Sequence, residues 1–268
     1  MDGPDNEYLL GSDPEELERL RFQDEVWAAE TESLIARAGF TAGAHILDLG
    51  AGPGLTTQRL AKAVTPGGRV TAIERSQRFV QVIESTGRED ITALHCEVQE
   101  IPLDDASVDG AFARWLLCFI GDPTPVVREV ARVIRPGGRF AVMDYCNYLG
   151  IALQPPSRRF KRTFEAVYQS FKNHGGDLDV GGKLPSVLQQ SGFELCDLIP
   201  IHRAARPGSG PWRWVTQFQT LYLPQVLDEG LISRQELDEF RKEWAKQTPE
   251  SGAFFCTPPM IGIVAVRK

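Results

Sequence analysis

The sequence predicts an α/β fold built on a doubly wound, mostly parallel sheet with helical additions. Three observations predict it. From about residue 45, short apolar runs alternate with amphipathic helical stretches. The connections are short and carry turn residues, as in Pro66-Gly67-Gly68 and Arg135-Pro136-Gly137-Gly138. One apolar run also enters a cluster of closely spaced glycines that opens a helix, an arrangement typical of a strand–turn–helix unit.

The elements follow in order. Ser12 or Asp13 is placed to cap a helix that carries Pro14 in its first turn and Glu15 and Glu16 near its positive end. Leu17, Leu20, Val26, Trp27 and Ile35 space out helical faces over residues 12–40, as one long helix or two shorter ones, stopped by Gly39 and Gly43. Residues 45–49 (HILDL) form the first strand, entering GAGPG, and a helix follows at 55–64. Strands are expected at 70–73, ending in Glu74, and at 91–95, 109–113 and 139–143. Helices at 77–84 and 123–134 supply the crossovers, which run right-handed between parallel strands. Beyond Asp144 the pattern loosens into helices at 156–172 and 183–191, a strand at 193–202, helices at 211–227 and 233–245, and a last strand at 260–266.

There is no internal repeat and no linker, so residues 1–268 read as a single domain. Within it, 1–40 is an N-terminal helical lid, 41–145 is a ligand-binding core, and 146–192 and 205–256 are helical additions. Composition narrows the function classes. With 29 Lys and Arg against 36 Asp and Glu, the chain carries a net charge of −7, which argues against general affinity for nucleic acid or anionic membrane. The N-terminal stretch is acidic and lacks an apolar core, so no signal peptide is expected, and no apolar run is long enough to span a membrane. Cys96, Cys118, Cys146, Cys196 and Cys256 are scattered, as expected of free thiols in a reducing, cytoplasmic setting, and none has ligand spacing with a histidine, so no metal is expected.

The strongest chemical signal is Ile46-Leu47-Asp48-Leu49-Gly50-Ala51-Gly52-Pro53-Gly54. Glycines at this spacing let the backbone turn sharply and approach a ligand, and the following helix presents free N–H groups. The spacing is G-x-G-x-G, not the G-x-G-x-x-G of dinucleotide folds. Glu74 ends the next strand, where a carboxylate can accept both hydroxyls of a ribose. Residues 97–103 (EVQEIPL) follow the third strand, where side chains can border an adenine. Arg114 and Trp115 follow the fourth, at the carboxyl edge where open α/β sheets bind ligands.

Together these elements resemble a class I S-adenosylmethionine-dependent methyltransferase of the small-molecule group. The resemblance runs closely over residues 40–145 and more loosely beyond, through GGDLDVGGKLP and the Thr257-Pro258-Pro259-Met260 segment. It implies a seven-stranded Rossmann-like sheet with an antiparallel last strand, and S-adenosylmethionine as cofactor. By position, Gly50, Gly52 and Gly54 would turn beside the methionine moiety. Glu74 would hold the ribose, with Arg75 and Ser76 on the adenine side. Glu97, where the family usually has Asp, would reach the adenine amino group and Val98 would offer its N–H. Arg114 and Trp115 would lie beneath the cofactor, and Tyr8 and Gln23 would close over its methionine end.

The implied reaction is in-line transfer of a methyl group to an oxygen, nitrogen or carbon of a small organic molecule. It needs a base only if the acceptor must lose a proton early; His174, His202 and Tyr148 are the candidates. Lone histidines more often serve structure. The run Arg158–Arg162 reads first as a solvated helix face, and the aromatics of the late helices as packing or, alternatively, as a homodimer surface. Rival readings are a nucleic-acid or protein methyltransferase, a nicotinamide-dependent oxidoreductase, and a non-catalytic binding subunit. Against nucleic acid stands the absence of an Asn/Asp-Pro-Pro-aromatic motif after the fourth strand.

Overall fold

The structure is a computed structural model that describes residues 14–247 and 251–268. The expected capping residues Ser12 and Asp13, and Tyr8, lie outside the described residues. Residues 14–38 form two helices, α1 (Pro14–Val26) and α2 (Ala28–Ala38), hinged at the fully buried Trp27. Gly39 ends α2 in the left-handed conformation (φ +66°).

The central sheet has seven strands: β1 (His45–Leu49), β2 (Arg69–Glu74), β3 (Ile91–His95), β4 (Val108–Arg114), β5 (Ile134–Tyr145), β7 (Phe193–Ile201) and β10 (Met260–Arg267). Their spatial order is β3-β2-β1-β4-β5-β10-β7. The pairs β1/β2, β1/β4, β2/β3 and β4/β5 are parallel, and β10 alone runs antiparallel, wedged between β5 and β7. Strands β1 and β4 are almost wholly buried, as expected for the middle of a sheet covered on both faces. The order reverses between β1 and β4, which opens a crevice at their carboxyl ends.

Helices α3 (Leu55–Ala63), α4 (Gln77–Glu84), α5 (Thr124–Val133) and α7 (Val180–Gln190) form crossovers around the sheet. In α4 the Ser76 side chain caps the Phe79 N–H, and Phe79, Val80 and Ile83 point inward. Three differences from the sequence reading have local causes. Strand β5 begins at Ile134, because Val108 pairs with Ile134 and Gly110 with Arg139, so the Arg135–Gly138 turn is bulged out within the strand. Helix α7 starts at Val180, three residues before the expected Lys183, although Gly181 and Gly182 read as breakers. Gly181 is needed for close packing: a Cβ there would stand 2.6 Å from the Tyr145 carbonyl oxygen. A second sheet of three very short strands, β6 (Ala152–Gln154), β9 (Phe254–Cys256) and β8 (Ala204–Ala205), was not anticipated.

Helices α6 (Arg158–Asn173), α8 (Gly210–Asp228) and α9 (Arg234–Ala245) pack together above the carboxyl edge. The basic run on α6 is absorbed here: Arg159 pairs with Glu239 and Glu243 at 3.0 and 3.3 Å, and Arg162 with Glu236 at 3.3 Å. The aromatics expected either to pack or to mark a dimer surface pack: Trp212, Trp214, Tyr222, Phe240 and Trp244 are all buried, with Trp212 and Trp244 stacked at 4.0 Å. They are therefore not an exposed face for a second subunit. No helix among the described residues is long and apolar enough to cross a membrane.

Candidate active site

The crevice between β1 and β4 holds a cavity of about 280 Å³. Its floor is the turn after β1. Gly50 takes φ +62°, and a Cβ there would collide with Leu116 Cδ1 at 2.7 Å. Gly52 takes φ +53°, yet a Cβ there would meet nothing within 4 Å. Its glycine keeps a left-handed turn open toward the cavity, not a packed contact. Gly54 differs from the expectation. It does not line the cavity; it starts α3 in the left-handed conformation (φ +81°), with Ile83 2.8 Å from where its Cβ would be.

Glu74, at the end of β2, clasps this turn. One carboxylate oxygen accepts the Gly52 N–H at 2.7 Å and the other accepts the Ser76 N–H at 2.8 Å. Each oxygen retains a further lone pair, so the group can still accept hydrogen bonds from a ligand in the cavity. Burial pushes its pKa up, and these two N–H groups oppose that shift. Asp48 is 2% exposed and lines the same cavity, with its carboxylate accepting the Thr57 hydroxyl at 2.6 Å. Its burial raises its pKa to about 7, against the opposing pull of Thr57 and Arg114.

The far wall comes from the ends of β2 and β3. Arg75, Glu97 and Val98 border the cavity, as the sequence reading placed them, together with Phe79, Cys96 and Gln99, which it did not single out. Arg114 and Trp115 border it from β4, and Gln23 borders it from α1. Arg114 is fixed from behind: it pairs with Asp24 at 3.0 Å and donates to Thr31 at 2.8 Å. Asp24 also receives Arg59 at 2.7 Å, so one buried carboxylate ties β4 and α3 to α1.

Trp115 takes φ +50°, a strained backbone for a bulky residue, of the kind that persists where the surroundings hold it in place. Those surroundings are visible. Its N–H donates to the Met143 carbonyl, its ring lies near parallel to Trp214 at 6.2 Å, and its edge meets Trp27 at 5.9 Å. Trp115 also borders a second, smaller cavity of about 50 Å³, together with Gln23 and Phe119, so these three residues form the septum between the two spaces. The smaller cavity is walled largely by aromatic rings, among them Tyr145, Tyr148, Phe164, Phe171, Trp214 and Phe218.

The three candidate bases are not gathered at the septum. His174 hydrogen-bonds the Ser170 carbonyl at 2.9 Å and stands 3.7 Å from Glu229, bordering neither cavity. His202 borders a separate surface cleft between α2 and β7. Tyr148 does line the small cavity, where burial pushes its pKa well above the ordinary tyrosine value and so disfavours the ionised form that a base requires. Arg19, unmarked in the sequence reading, lines the small cavity while paired with Glu16 at 2.6 Å. The i to i+3 and i+4 spacing of Glu16, Arg19 and Gln23 was the available signal. Among the described residues, no cluster of His, Cys, Asp or Glu is arranged to hold a metal ion.

Comparison with known proteins is consistent with this geometry. Residues 47–142 match the methyltransferase domain family. The chain is 33% identical to an uncharacterized 37.1 kDa protein of transposon Tn4556 from Streptomyces fradiae, over 63% of this chain and 48% of that protein. It is 29% identical to the O-methyltransferase resE of Aspergillus sclerotiorum, over 66% of this chain and 65% of that one. With the methyltransferase GfsG of Streptomyces halstedii it shares 28% identity, over 84% and 77%. The match thus spans less than two thirds of the length of the first two of these relatives. Among solved structures, geranyl diphosphate C-methyltransferase from Streptomyces coelicolor, in complex with Mg²⁺, geranyl-S-thiolodiphosphate and S-adenosyl-L-homocysteine, superposes with a TM-score of 0.59. It is 15% identical, over 90% of this chain and 77% of that one. At that identity the likeness is one of fold.

Proposed function

We propose that this chain, whose residues 47–142 match the methyltransferase domain family, is an S-adenosylmethionine-dependent enzyme that methylates a small organic molecule. The observation that carries the reading is the pair of cavities meeting at Gln23, Trp115 and Phe119. One has the chemistry of a nucleoside site, and the other has the chemistry of an apolar acceptor site.

The larger cavity suits the cofactor on the residues present. Gly52 leaves the turn open to it, Glu74 offers acceptors for ribose hydroxyls, and Ile73, Phe79 and Val98 provide an apolar wall for a flat base. Its volume lies near the lower end of small-ligand sites, which start at about 300 Å³. S-adenosylmethionine, when bound, supplies a methyl group already activated on a sulfonium. What remains for the protein is to align, exclude water and hold charge. Glu74 and the glycine turn anchor the ribose side, and Glu97 and Val98 border the base. The Asp24–Arg114 pair ties the β4 side of the cavity to α1, and Trp115 offers an aromatic face at the junction. Positioning of this kind is worth up to about 7–11 kcal/mol.

The test is calorimetric titration with S-adenosylhomocysteine and, separately, NADH, followed by transfer of a labelled methyl group to a panel of small acceptors. Binding of S-adenosylhomocysteine with transfer to an acceptor is the expected result. Tight binding of NADH alone overturns the reading in favour of an oxidoreductase. Cofactor binding without any transfer overturns it in favour of a binding subunit.

A further inference from the structure

Asp144, near the carboxyl end of β5, is a fully buried carboxylate that borders neither cavity. Hydrogen bonds hold its charge, and no cation pairs with it among the described residues. One oxygen accepts the Tyr145 N–H at 2.9 Å, and the other accepts the Cys118 N–H at 3.1 Å. A charge buried without a cation is costly, so what it holds is informative. Cys118 lies in the short 3₁₀ turn Leu117–Phe119 that follows β4. The carbonyl of the same residue accepts the Asp177 N–H at 2.8 Å. Gly176 sits so close that a Cβ there would stand 2.7 Å from the Cys118 oxygen. Gly176 and Asp177 belong to GGDLDVGGKLP, a segment of the sequence that the cavities themselves leave without a role. The turn is thus clasped at one residue from two sides, by β5 and by the segment before α7. Leu116, Phe119 and Ile120 of this turn border the larger cavity, and Leu116 lies against Gly50. The Phe119 and Ile120 N–H groups return to the Leu116 and Leu117 carbonyls at 3.1 and 3.0 Å, so the turn is one closed unit.

From this arrangement we infer that Asp144 is a positioning residue for the cofactor: by holding the Cys118 N–H it sets the turn that walls the larger cavity and rests on the glycine turn. The inference rests on the methyltransferase reading above and adds a residue that acts through the wall. Only the ionised carboxylate offers full acceptor capacity to both N–H groups; once protonated, one oxygen becomes a donor. Burial pushes the pKa of Asp144 up to about 6, against the pull of these N–H groups. The groups that face it do not share that range. Burial raises the Cys118 thiol and the Tyr145 hydroxyl further above their ordinary values, and Asp177, on the far side of Cys118, is paired with Lys183. The ionised form therefore supports the turn above about pH 6, and that support is lost as pH falls through this value.

The test titrates the full chain with S-adenosylhomocysteine by calorimetry, beside Asp144→Asn, whose carboxamide has a single acceptor oxygen at every pH. At pH ~8 the variant is expected to bind about tenfold more weakly than the wild type. At pH ~5, where the wild-type carboxyl is itself protonated, the two are expected to agree within about twofold. Glu74 titrates in both proteins, so its effect cancels in the ratio. A folded variant that binds as the wild type does at pH ~8 overturns the inference, and so does a deficit undiminished at pH ~5, since a merely structural defect does not track this proton. If Asp144→Asn does not fold, Gly176→Ala decides. It keeps the carboxylate but presses a methyl group against the Cys118 oxygen, and is expected to weaken S-adenosylhomocysteine by about threefold or more; unchanged affinity overturns the inference. Failure of the wild type to bind S-adenosylhomocysteine counts against the methyltransferase reading itself, so the two failures are separable.

Discussion

Replacing Glu74 by alanine removes one carboxylate that does two jobs. In the folded chain it binds the Gly52 and Ser76 N–H groups at 2.7 and 2.8 Å, holding the glycine turn against the start of α4. In the complex it is expected to accept the ribose hydroxyls through its remaining lone pairs. A hydrogen bond to a charged group contributes about 1.5–3 kcal/mol, so losing a single ribose bond predicts a roughly ten- to 150-fold rise in the Kd of S-adenosylhomocysteine. Losing both predicts more. The stability cost is smaller, because Gly52 borders a cavity that water can enter and Ser76 is itself half-exposed. About 1–2 kcal/mol, or roughly 2–4 °C in Tm for a chain of this size, is expected. Calorimetry measures the affinity and thermal unfolding without ligand measures the stability. A folded Glu74→Ala protein that binds S-adenosylhomocysteine as the wild type does refutes the ribose role and leaves Glu74 as a clasp for the turn alone. The raised pKa of Glu74 adds a direction: affinity falls as the pH drops through that pKa and the carboxylate is lost.

Three further outcomes follow from the same site. Gly52→Val places a branched side chain in the open space of the cavity on a backbone at φ +53°, so S-adenosylhomocysteine binding is lost while stability drops by about 1–2 kcal/mol; calorimetry and thermal melts check both, and a variant that binds normally contradicts the placement of the turn. Asp48 keeps its proton to about pH 7 against an ordinary 3.8, so the folded chain holds a proton that the unfolded chain has lost, and its contribution to stability declines as pH rises across that window. Asp48→Asn should therefore gain on the wild type by a few kcal/mol (on the order of 1.4 kcal/mol for each pH unit crossed) between pH ~4 and ~7 and no further above that, and parallel urea-melt profiles would show that this proton is not bound. Asp24→Asn strands the buried Arg114 without its carboxylate and is expected to cost about 3–5 kcal/mol in urea denaturation; a loss below about 1 kcal/mol would mean that water or Thr31 satisfies the guanidinium.

The parallel core was legible because its central strands β1 and β4 are buried on both faces and read as largely apolar runs, and because Gly50, Gly52 and Glu74 mark the points where the chain turns at the crevice. The limits of that reading have physical causes. Two- and three-residue strands such as β8 and β9 are too short to show a period, and they form only because α8, α9 and the segment before β10 bring them together. Gly54 looked like a third ligand-side glycine, but the turn carries it past the crevice and against Ile83. The small cavity was not legible at all. Its walls come from residues as far apart as Arg19 and Pro258, and nothing in the spacing of Tyr148 or Phe218 says that they face Trp115 across a void. The same holds for Asp24, an ordinary acid on a helix in the sequence, which becomes the shared partner of Arg59 and Arg114 only once α1 lies over the ends of β4 and α3.

The position of β10 bears on how the chain is made. Until residues 260–267 leave the ribosome, β5 has a partner on one side only and β7 has none in the sheet, since β7 pairs with β10 alone. Until then the nascent chain carries an open strand edge, a template for unwanted pairing with a neighbouring chain. The registers Val266 with Arg139 and Met260 with Ile201 close contacts across long stretches of sequence, a feature that slows folding. A fragment ending before residue 260 would expose that edge permanently and detach β7 with it. Residues 47–142, although they carry the turn, Glu74 and Trp115, are thus not a unit that can be cut out and expected to fold on its own.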